Sequence, residues 1–120
     1  MTPDLLWQRY ARIWSSEPER RATELEACLA DGCSYCDVNG LLEGREALSN
    51  YMGGFQQSVK DGKFEICSVK HHHDRMLAEW NLIGGDGAVL QSGTSFATVS
   101  ADGRLQNISG FFDASNANSA

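Results

Sequence analysis

The sequence lacks the features of membrane, secreted and nucleic-acid-binding proteins. It has no run near the roughly 18 apolar residues of a membrane span, and its first residues show no basic stretch followed by an apolar one, as a secretory signal would. Ten lysines and arginines against sixteen aspartates and glutamates leave a formal charge of -6. No basic cluster is present to contact phosphates. We therefore expect a cytoplasmic protein that binds neither membranes nor nucleic acid.

The signatures of phosphate-binding loops and nucleophile elbows are also missing. No glycine-rich loop is followed by a lysine, and the pattern Gly-x-Ser-x-Gly does not occur. Cys33 and Cys36 have zinc-like spacing, but no second pair accompanies them. On a strand, these two side chains point to opposite faces, which does not suit a zinc site. We expect free thiols in a reducing compartment and no metal, with a structural zinc as the less favoured alternative.

The length and composition are those of one soluble domain. The chain has 120 residues, of which 42% are hydrophobic, enough to bury a core without disulfides or metal. We assign residues 1–113 to the domain and expect the small, polar residues 114–120 to form a flexible tail.

Three helices are predicted in the first half. Thr2 before Pro3 begins the first helix. Ser16 and Glu19 have the spacing of a capping box and begin the second helix. Gly44 precedes the third. The expected ends of the second and third helices are the Asp-Gly pairs at 31–32 and 61–62.

Five strands complete the prediction. A short one at Cys33–Val38 follows the second helix, and four longer ones with hairpin turns at 84–87 and 101–103 follow the third. The longer strands are Phe64–His72, Arg75–Ile83, Ala88–Val99 and Leu105–Phe112. This order favours an α+β fold, in which the helices cover one face of a curved sheet. The resulting cone has an apolar interior suited to a small molecule.

Several segments carry a family resemblance through their order and spacing. They are Gln8–Tyr10, Leu29–Cys33, Tyr35–Gly40 with Gly44–Leu48, and Asp102–Leu105 with Gly110–Asp113. With them, the sequence resembles the nuclear-transport-factor-2-like superfamily, and in particular its SnoaL-like and ketosteroid-isomerase-like branches. The resemblance covers roughly 5–113 and implies a cone-shaped antiparallel or mixed sheet, an α+β barrel of cystatin-like type. It also implies a homodimer formed through the sheet.

The resemblance implies roles for particular residues. In ketosteroid isomerases, a carboxylate at the end of the first strand moves a proton, while a tyrosine and a protonated carboxylic acid stabilise the enolate. By position, Asp37 is the base and Tyr10 the oxyanion donor. Ser95 stands where the carboxylic acid is expected, and Val38 replaces the usual proline. These departures argue against true steroid isomerase activity.

Each candidate also has an alternative structural role. Asp37 would cap the turn that follows it, and Tyr10 would pack in the core on the stripe of its helix. His71 would act as a general acid or base, or would simply end a polar strand. Asp113 is a second candidate catalytic carboxylate, or a solvated surface residue. The predicted ligand pocket consists of Trp14, Tyr51, Phe55, His71, Trp80 and Ser95.

Two functions of different classes follow. The first is a homodimeric isomerase, cyclase or dehydratase that acts by acid–base chemistry, without a cofactor, on an apolar cyclic carbonyl or polyketide-like compound. The alternative is a non-catalytic ligand-binding or dimerisation module of the same fold.

Overall fold

The computed structural model describes residues 1–113, and the predicted tail lies outside them. The elements are α1 (Pro3–Ile13), α2 (Pro18–Cys28), β1 (Leu29–Asp37), β2 (Gly40–Glu43), α3 (Arg45–Ser58), β3 (Lys63–His72), β4 (Arg75–Ile83), β5 (Val89–Val99) and β6 (Leu105–Phe111). The strands form one sheet in the order β2-β1-β6-β5-β4-β3. The β1–β6 pair is parallel and the other pairs are antiparallel. The predicted α+β fold with three helices and a mixed sheet is confirmed.

The sheet is curved but not closed. Extra residues interrupt the pairing of β3 with β4, of β4 with β5, and of β5 with β6, and such bulges bend and twist a strand. β2 and β3 remain as its two edges, so the cone is open rather than a complete barrel. None of the helices within residues 1–113 is long and apolar enough to cross a membrane.

The helix starts were predicted correctly for α1 and wrongly for α2. The Thr2 hydroxyl accepts a hydrogen bond from the Leu5 N–H at 3.2 Å, as a capping residue should. In α2, however, the cap is Glu17, whose carboxylate accepts the N–H of Arg20 at 2.8 Å. Ser16 does not cap, because its N–H and its hydroxyl both bond to carbonyls at the end of α1.

The region after α2 also differs from the prediction. α2 ends at Cys28, not at 31–32, and β1 begins at once with Leu29 rather than at Cys33. Leu29 is fully buried and pairs with Leu105 of β6, so pairing across the sheet determines the strand start. Gly32 lies within the irregular part of β1 with φ of 72°, a conformation that glycine adopts without strain. The short strand β2 was not predicted.

The core lies between the helices and the concave face of the sheet. α1 contributes the most to it, since Leu6, Trp7, Tyr10 and Ile13 are all buried and the helix packs against β3. Each such side chain stabilises the fold by about 1.5–3 kcal/mol. The core fills one part of the cone and leaves the rest as a cavity.

Two polar side chains tie the helices together. The buried guanidinium of Arg21 in α2 donates to the Ser49 hydroxyl of α3 at 2.9 Å and to the Ser16 carbonyl at 3.1 Å. Gln56 of α3 donates to the carbonyls of Trp14 and Ser16 at 2.9 and 2.7 Å. These bonds fix α3, and with it Tyr51, relative to the other two helices.

Candidate functional site

A cavity of about 680 Å³ lies between the helix layer and the sheet. Every tryptophan and tyrosine of the chain, three of each, lines it. The lining is largely aromatic and polar, and five of the six predicted pocket residues belong to its fifteen aromatic and polar residues. These residues are Trp7, Tyr10, Trp14, Tyr35, Asp37, Asn39, Asn50, Tyr51, Phe55, Ser58, Phe64, Trp80, Gln91, Ser95 and Phe112.

Asp37 is the last residue of β1, and its carboxylate is held by three donors. Oδ2 accepts the hydroxyls of Tyr35 and Tyr51 at 2.7 and 2.8 Å. Oδ1 accepts the backbone N–H of Asn39 at 2.7 Å, and it also lies 3.0 Å from the Tyr51 hydroxyl. Asp37 thus caps the turn and lines the cavity at the same time, so the two roles considered for it are compatible.

The two tyrosines reach Asp37 from different elements. Tyr35 lies two residues earlier on β1, where alternation puts both side chains on one face, and Tyr51 comes from α3. Burial, together with the nearby Asp37 carboxylate, raises the pKa of Tyr35 far above its ordinary value and the pKa of Tyr51 to about 12. Both phenols therefore remain protonated donors at neutral pH. Tyr35 was not predicted as a site residue, although its spacing from Asp37 was a usable signal.

Tyr10 lies in the cavity wall with its hydroxyl unpaired. Its ring packs edge-on against Trp7, with the centroids 5.7 Å apart. The hydroxyl is buried, and no described residue meets hydrogen-bond geometry with it. Burial raises its pKa well above the ordinary value, and the neighbouring Trp14 side chain partly offsets this rise. A buried donor left without a partner costs about 1–3 kcal/mol. Because neighbouring atoms also cover it, a ligand reaches this hydroxyl only after those side chains shift.

Trp80 of β4 and Ser95 of β5 line the cavity from the sheet. The Trp80 indole N–H donates to the Ser95 hydroxyl oxygen at 3.0 Å, and both residues are buried. Asn81 points to the other face of the sheet, where its side chain accepts from Ser92 at 2.6 Å, so Trp80 is the one of the two that lines the cavity. Gly93 lies beneath the indole, since a Cβ there would lie 2.3 Å from the ring.

Three polar side chains converge beside Gly110 of β6. A Cβ at this glycine would lie 3.6 Å from the Tyr35 hydroxyl oxygen, and 3.7 Å from both the Ser95 hydroxyl oxygen and Asp37 Cβ. β6 lies between β1 and β5 in the sheet. This explains how Asp37 of β1 and Ser95 of β5, which are 58 positions apart, come to lie on the same side of the cavity. Gly110 therefore keeps open the space between Asp37 and Ser95, and sequence reasoning did not identify it as a site residue.

An aromatic cluster closes the cavity on the helix side. Trp14 has ring centroids 5.6, 6.0 and 5.5 Å from those of Tyr35, Tyr51 and Phe55. Phe55 stacks on Phe64 of β3 at 5.2 Å. These contacts hold in place the rings of Tyr35 and Tyr51, whose hydroxyls bond to the Asp37 carboxylate.

The histidines lie outside the cavity, which corrects the placement of His71. The part of β3 that lines the cavity ends at Ile66, and His71 is exposed five residues further along the strand. His73 adopts a turn conformation with φ of 51° and contacts His72, so it does not share a strand face with His71. Within residues 1–113, no three His, Cys, Asp or Glu side chains cluster as a metal site requires.

Asp113 and the pair Cys33 and Cys36 lie outside the cavity. Asp113 is exposed, does not line the cavity, and accepts a hydrogen bond from Gln91 through its backbone carbonyl at 2.8 Å. Cys33 is buried, whereas Cys36 lies on the other face beside the Ser109 hydroxyl at 3.4 Å. The prediction that the two thiols occupy opposite faces is confirmed.

The comparisons with known proteins agree with this architecture. A family model described as a SnoaL-like domain matches residues 7–108. The chain belongs to the SnoaL-like family. No curated protein sequence matches it.

Solved structures place this SnoaL-like chain among similar folds. A candidate isomerase of the SnoaL-like family from Agrobacterium tumefaciens has a TM-score of 0.86 and 24% identity, covering 92% of this chain and 97% of its own. A protein with a ketosteroid-isomerase-like fold from Catenulispora acidiphila, solved in complex with trimethylamine, has a TM-score of 0.77 and 14% identity, covering 97% and 90%. A candidate SnoaL-like polyketide cyclase from Jannaschia sp. CCS1 has a TM-score of 0.76 and 14% identity, covering 100% and 94%. At these identities the likeness shows the fold.

Proposed function

We propose that this SnoaL-like protein is an isomerase, cyclase or dehydratase that acts by acid–base chemistry, without a cofactor, on an apolar cyclic carbonyl or polyketide-like compound. One observation carries the proposal. The Asp37 carboxylate and the side chain of Tyr10, whose hydroxyl has an unused proton, line the same aromatic cavity.

Asp37 is the proposed base. A carboxylate offers about four lone-pair sites. Three donors bond to the Asp37 carboxylate, which leaves about one of its sites for a substrate proton. Asp37 would take a proton from the carbon beside the carbonyl, so that the C–H bond breaks and an O–H bond forms on the carboxylate. The same proton would then return to another carbon or assist the departure of a hydroxyl group.

Tyr10 is the proposed donor to the enolate oxygen. A neutral phenol in an apolar cavity stabilises developing negative charge without itself losing a proton. The Tyr10 hydroxyl contacts a ligand only after the side chains that cover it shift. Ser95 is the proposed second donor, because its oxygen accepts from Trp80 and its own proton is available to a ligand.

Deuterium exchange of a simple ketone tests enolisation without knowledge of the natural substrate. 2-Tetralone, an apolar bicyclic ketone, is incubated with the protein in D₂O, and loss of its α-proton signals is followed by NMR. We expect exchange above the buffer rate, reduced roughly 100-fold or more in Asp37→Asn. Asp31→Asn is the matched control, because the Asp31 side chain is fully exposed. Equal exchange rates in the wild type and Asp37→Asn would exclude Asp37 as the base.

A non-catalytic binding module is the second candidate, and the same carboxylate favours it. Three donors on Asp37 are also what a purely structural anion requires. In that case ligands bind in the cavity and are recovered unchanged, and 2-tetralone exchanges at the buffer rate.

The assembly and location of the protein belong to the same proposal. The outer face of the sheet exposes Leu77 and Phe111, at 40% and 64%, on either side of the half-buried Phe96. We propose that two copies pair through this face, which would bury these side chains. We also propose a reducing cytoplasmic setting, in which the four cysteines stay as thiols.

A further inference from the structure

The described lining of the cavity contains an acidic residue and no basic one. Asp37 is the only acidic residue among the described residues that line it, and no lysine, arginine or histidine belongs to that lining. The chain as a whole carries a formal charge of -6. An anionic ligand would therefore find no positively charged side chain in the lining to offset the cost of its desolvation.

The rings around Asp37 favour positive charge as well. Aromatic rings carry partial negative charge on their faces, and they attract cations within about 6 Å of the centroid. Tyr35 and Tyr51 bond directly to the carboxylate, and Trp14 lies 5.6 and 6.0 Å from their centroids. In all, nine aromatic side chains line the cavity. A carboxylate that shares one cavity with these rings, and is bonded by the hydroxyls of two of them, is a suitable environment for an organic ammonium ion.

We propose that the cavity binds an amine-bearing apolar molecule in its protonated form, with the ammonium group near Asp37 and the apolar body against the other rings. The inference rests on the proposed function only in taking the same cavity as the ligand site. An ammonium group bonded to Asp37 would occupy the acceptor site left for a substrate proton, so such an amine would compete with a ketone for the base.

A series of ligands that differ only in charge tests the inference. 2-Aminotetralin is a cation at neutral pH, 2-tetralol is neutral, and tetralin-2-carboxylate is an anion, all on the same ring system. Their dissociation constants are measured by isothermal titration calorimetry. We expect the amine to bind about tenfold more tightly than the alcohol, and the carboxylate to bind most weakly.

Variants then locate the source of the preference. In Asp37→Asn the amine and the alcohol should bind within about twofold of each other, whereas Asp31→Asn should keep the wild-type ranking. If Asp37→Asn does not fold, the wild-type ranking decides alone. An amine that binds no more tightly than the alcohol overturns the inference, as does a preference that survives Asp37→Asn, or a failure of all three ligands to bind.

The results separate this inference from the proposed function. A preference for the amine without 2-tetralone exchange supports the cation site and refutes the enolisation chemistry. Exchange of 2-tetralone without a preference for the amine refutes the cation site and leaves the enolisation chemistry in place.

Discussion

Replacing Tyr10 by phenylalanine should stabilise the unliganded protein. The substitution removes only the hydroxyl, which is buried and has no partner among the described residues, and it keeps the ring that packs against Trp7. Loss of an unpaired buried donor recovers a penalty of about 1–3 kcal/mol. Part of this gain is lost to the small void that the missing oxygen leaves, so we expect a net increase of about 1 kcal/mol in the free energy of unfolding.

Tyr35→Phe is the matched comparison, because it also removes one buried phenol oxygen. That hydroxyl donates to the Asp37 carboxylate at 2.7 Å, and a hydrogen bond to a charged group contributes about 1.5–3 kcal/mol. The free energy of unfolding should therefore fall in Tyr35→Phe and rise in Tyr10→Phe. The two variants should differ by at least about 2.5 kcal/mol, the sum of the lower ends of these effects, about 1 and about 1.5 kcal/mol.

Urea unfolding measures both values. The three tryptophans all line the cavity, so their fluorescence reports loss of the folded state. In a domain of this size a change of 1 kcal/mol moves the melting temperature by roughly 4 °C, which thermal unfolding detects independently. A Tyr10→Phe variant that is less stable than the wild type by 1 kcal/mol or more would refute the reasoning, since it would mean that the hydroxyl is satisfied in the folded protein.

Two further predictions concern the wall and the outer face of the sheet. Gly93→Ala should destabilise the fold by about 1–3 kcal/mol and alter tryptophan fluorescence, because the new methyl group would occupy the place of the Trp80 ring; an unchanged melting temperature and spectrum would contradict this packing. Phe111→Glu should convert the proposed dimer into a monomer in light scattering, because it places a charge on the exposed apolar face. Thr23→Glu, on the exposed surface of α2, is its control. A wild-type monomer, or a dimer that survives the Phe111 change, would exclude this interface.

The fold could be predicted wherever a local signal and the tertiary structure agree. α1 was predicted from Thr2 and Pro3, and β4 was predicted with the bounds it has, Arg75–Ile83. β2 has four residues, Gly-Leu-Leu-Glu, whose apolar and polar side chains do not alternate along the sequence, and only its pairing with β1 defines it. The start of α2 was misplaced by one residue because Ser16 still bonds to the end of α1, a contact that a capping pattern does not reveal.

In the candidate site, too, local sequence signals predicted some features, and others depend on tertiary structure. The resemblance placed Asp37 and Tyr10 by position, and both line the cavity. The bond between Tyr35 and Asp37 follows from their spacing on one strand, but the bond from Tyr51 depends on how α3 lies over the sheet. His71 was misplaced because a strand pattern does not tell how far the cavity extends along β3.

The most direct test of the central claim is a crystal structure of the protein with 2-naphthol, whose ring system and single hydroxyl resemble a bound enol. We predict that the naphthol ring lies among the aromatic side chains of the cavity, with its oxygen within hydrogen-bond distance, about 2.5–3.0 Å, of the Tyr10 hydroxyl and a carbon beside the C–O carbon facing the Asp37 carboxylate. A naphthol bound in the cavity with no ring carbon facing Asp37 and its oxygen away from Tyr10, or bound only outside the cavity, would contradict the claim that Asp37 acts as the base on a ligand there.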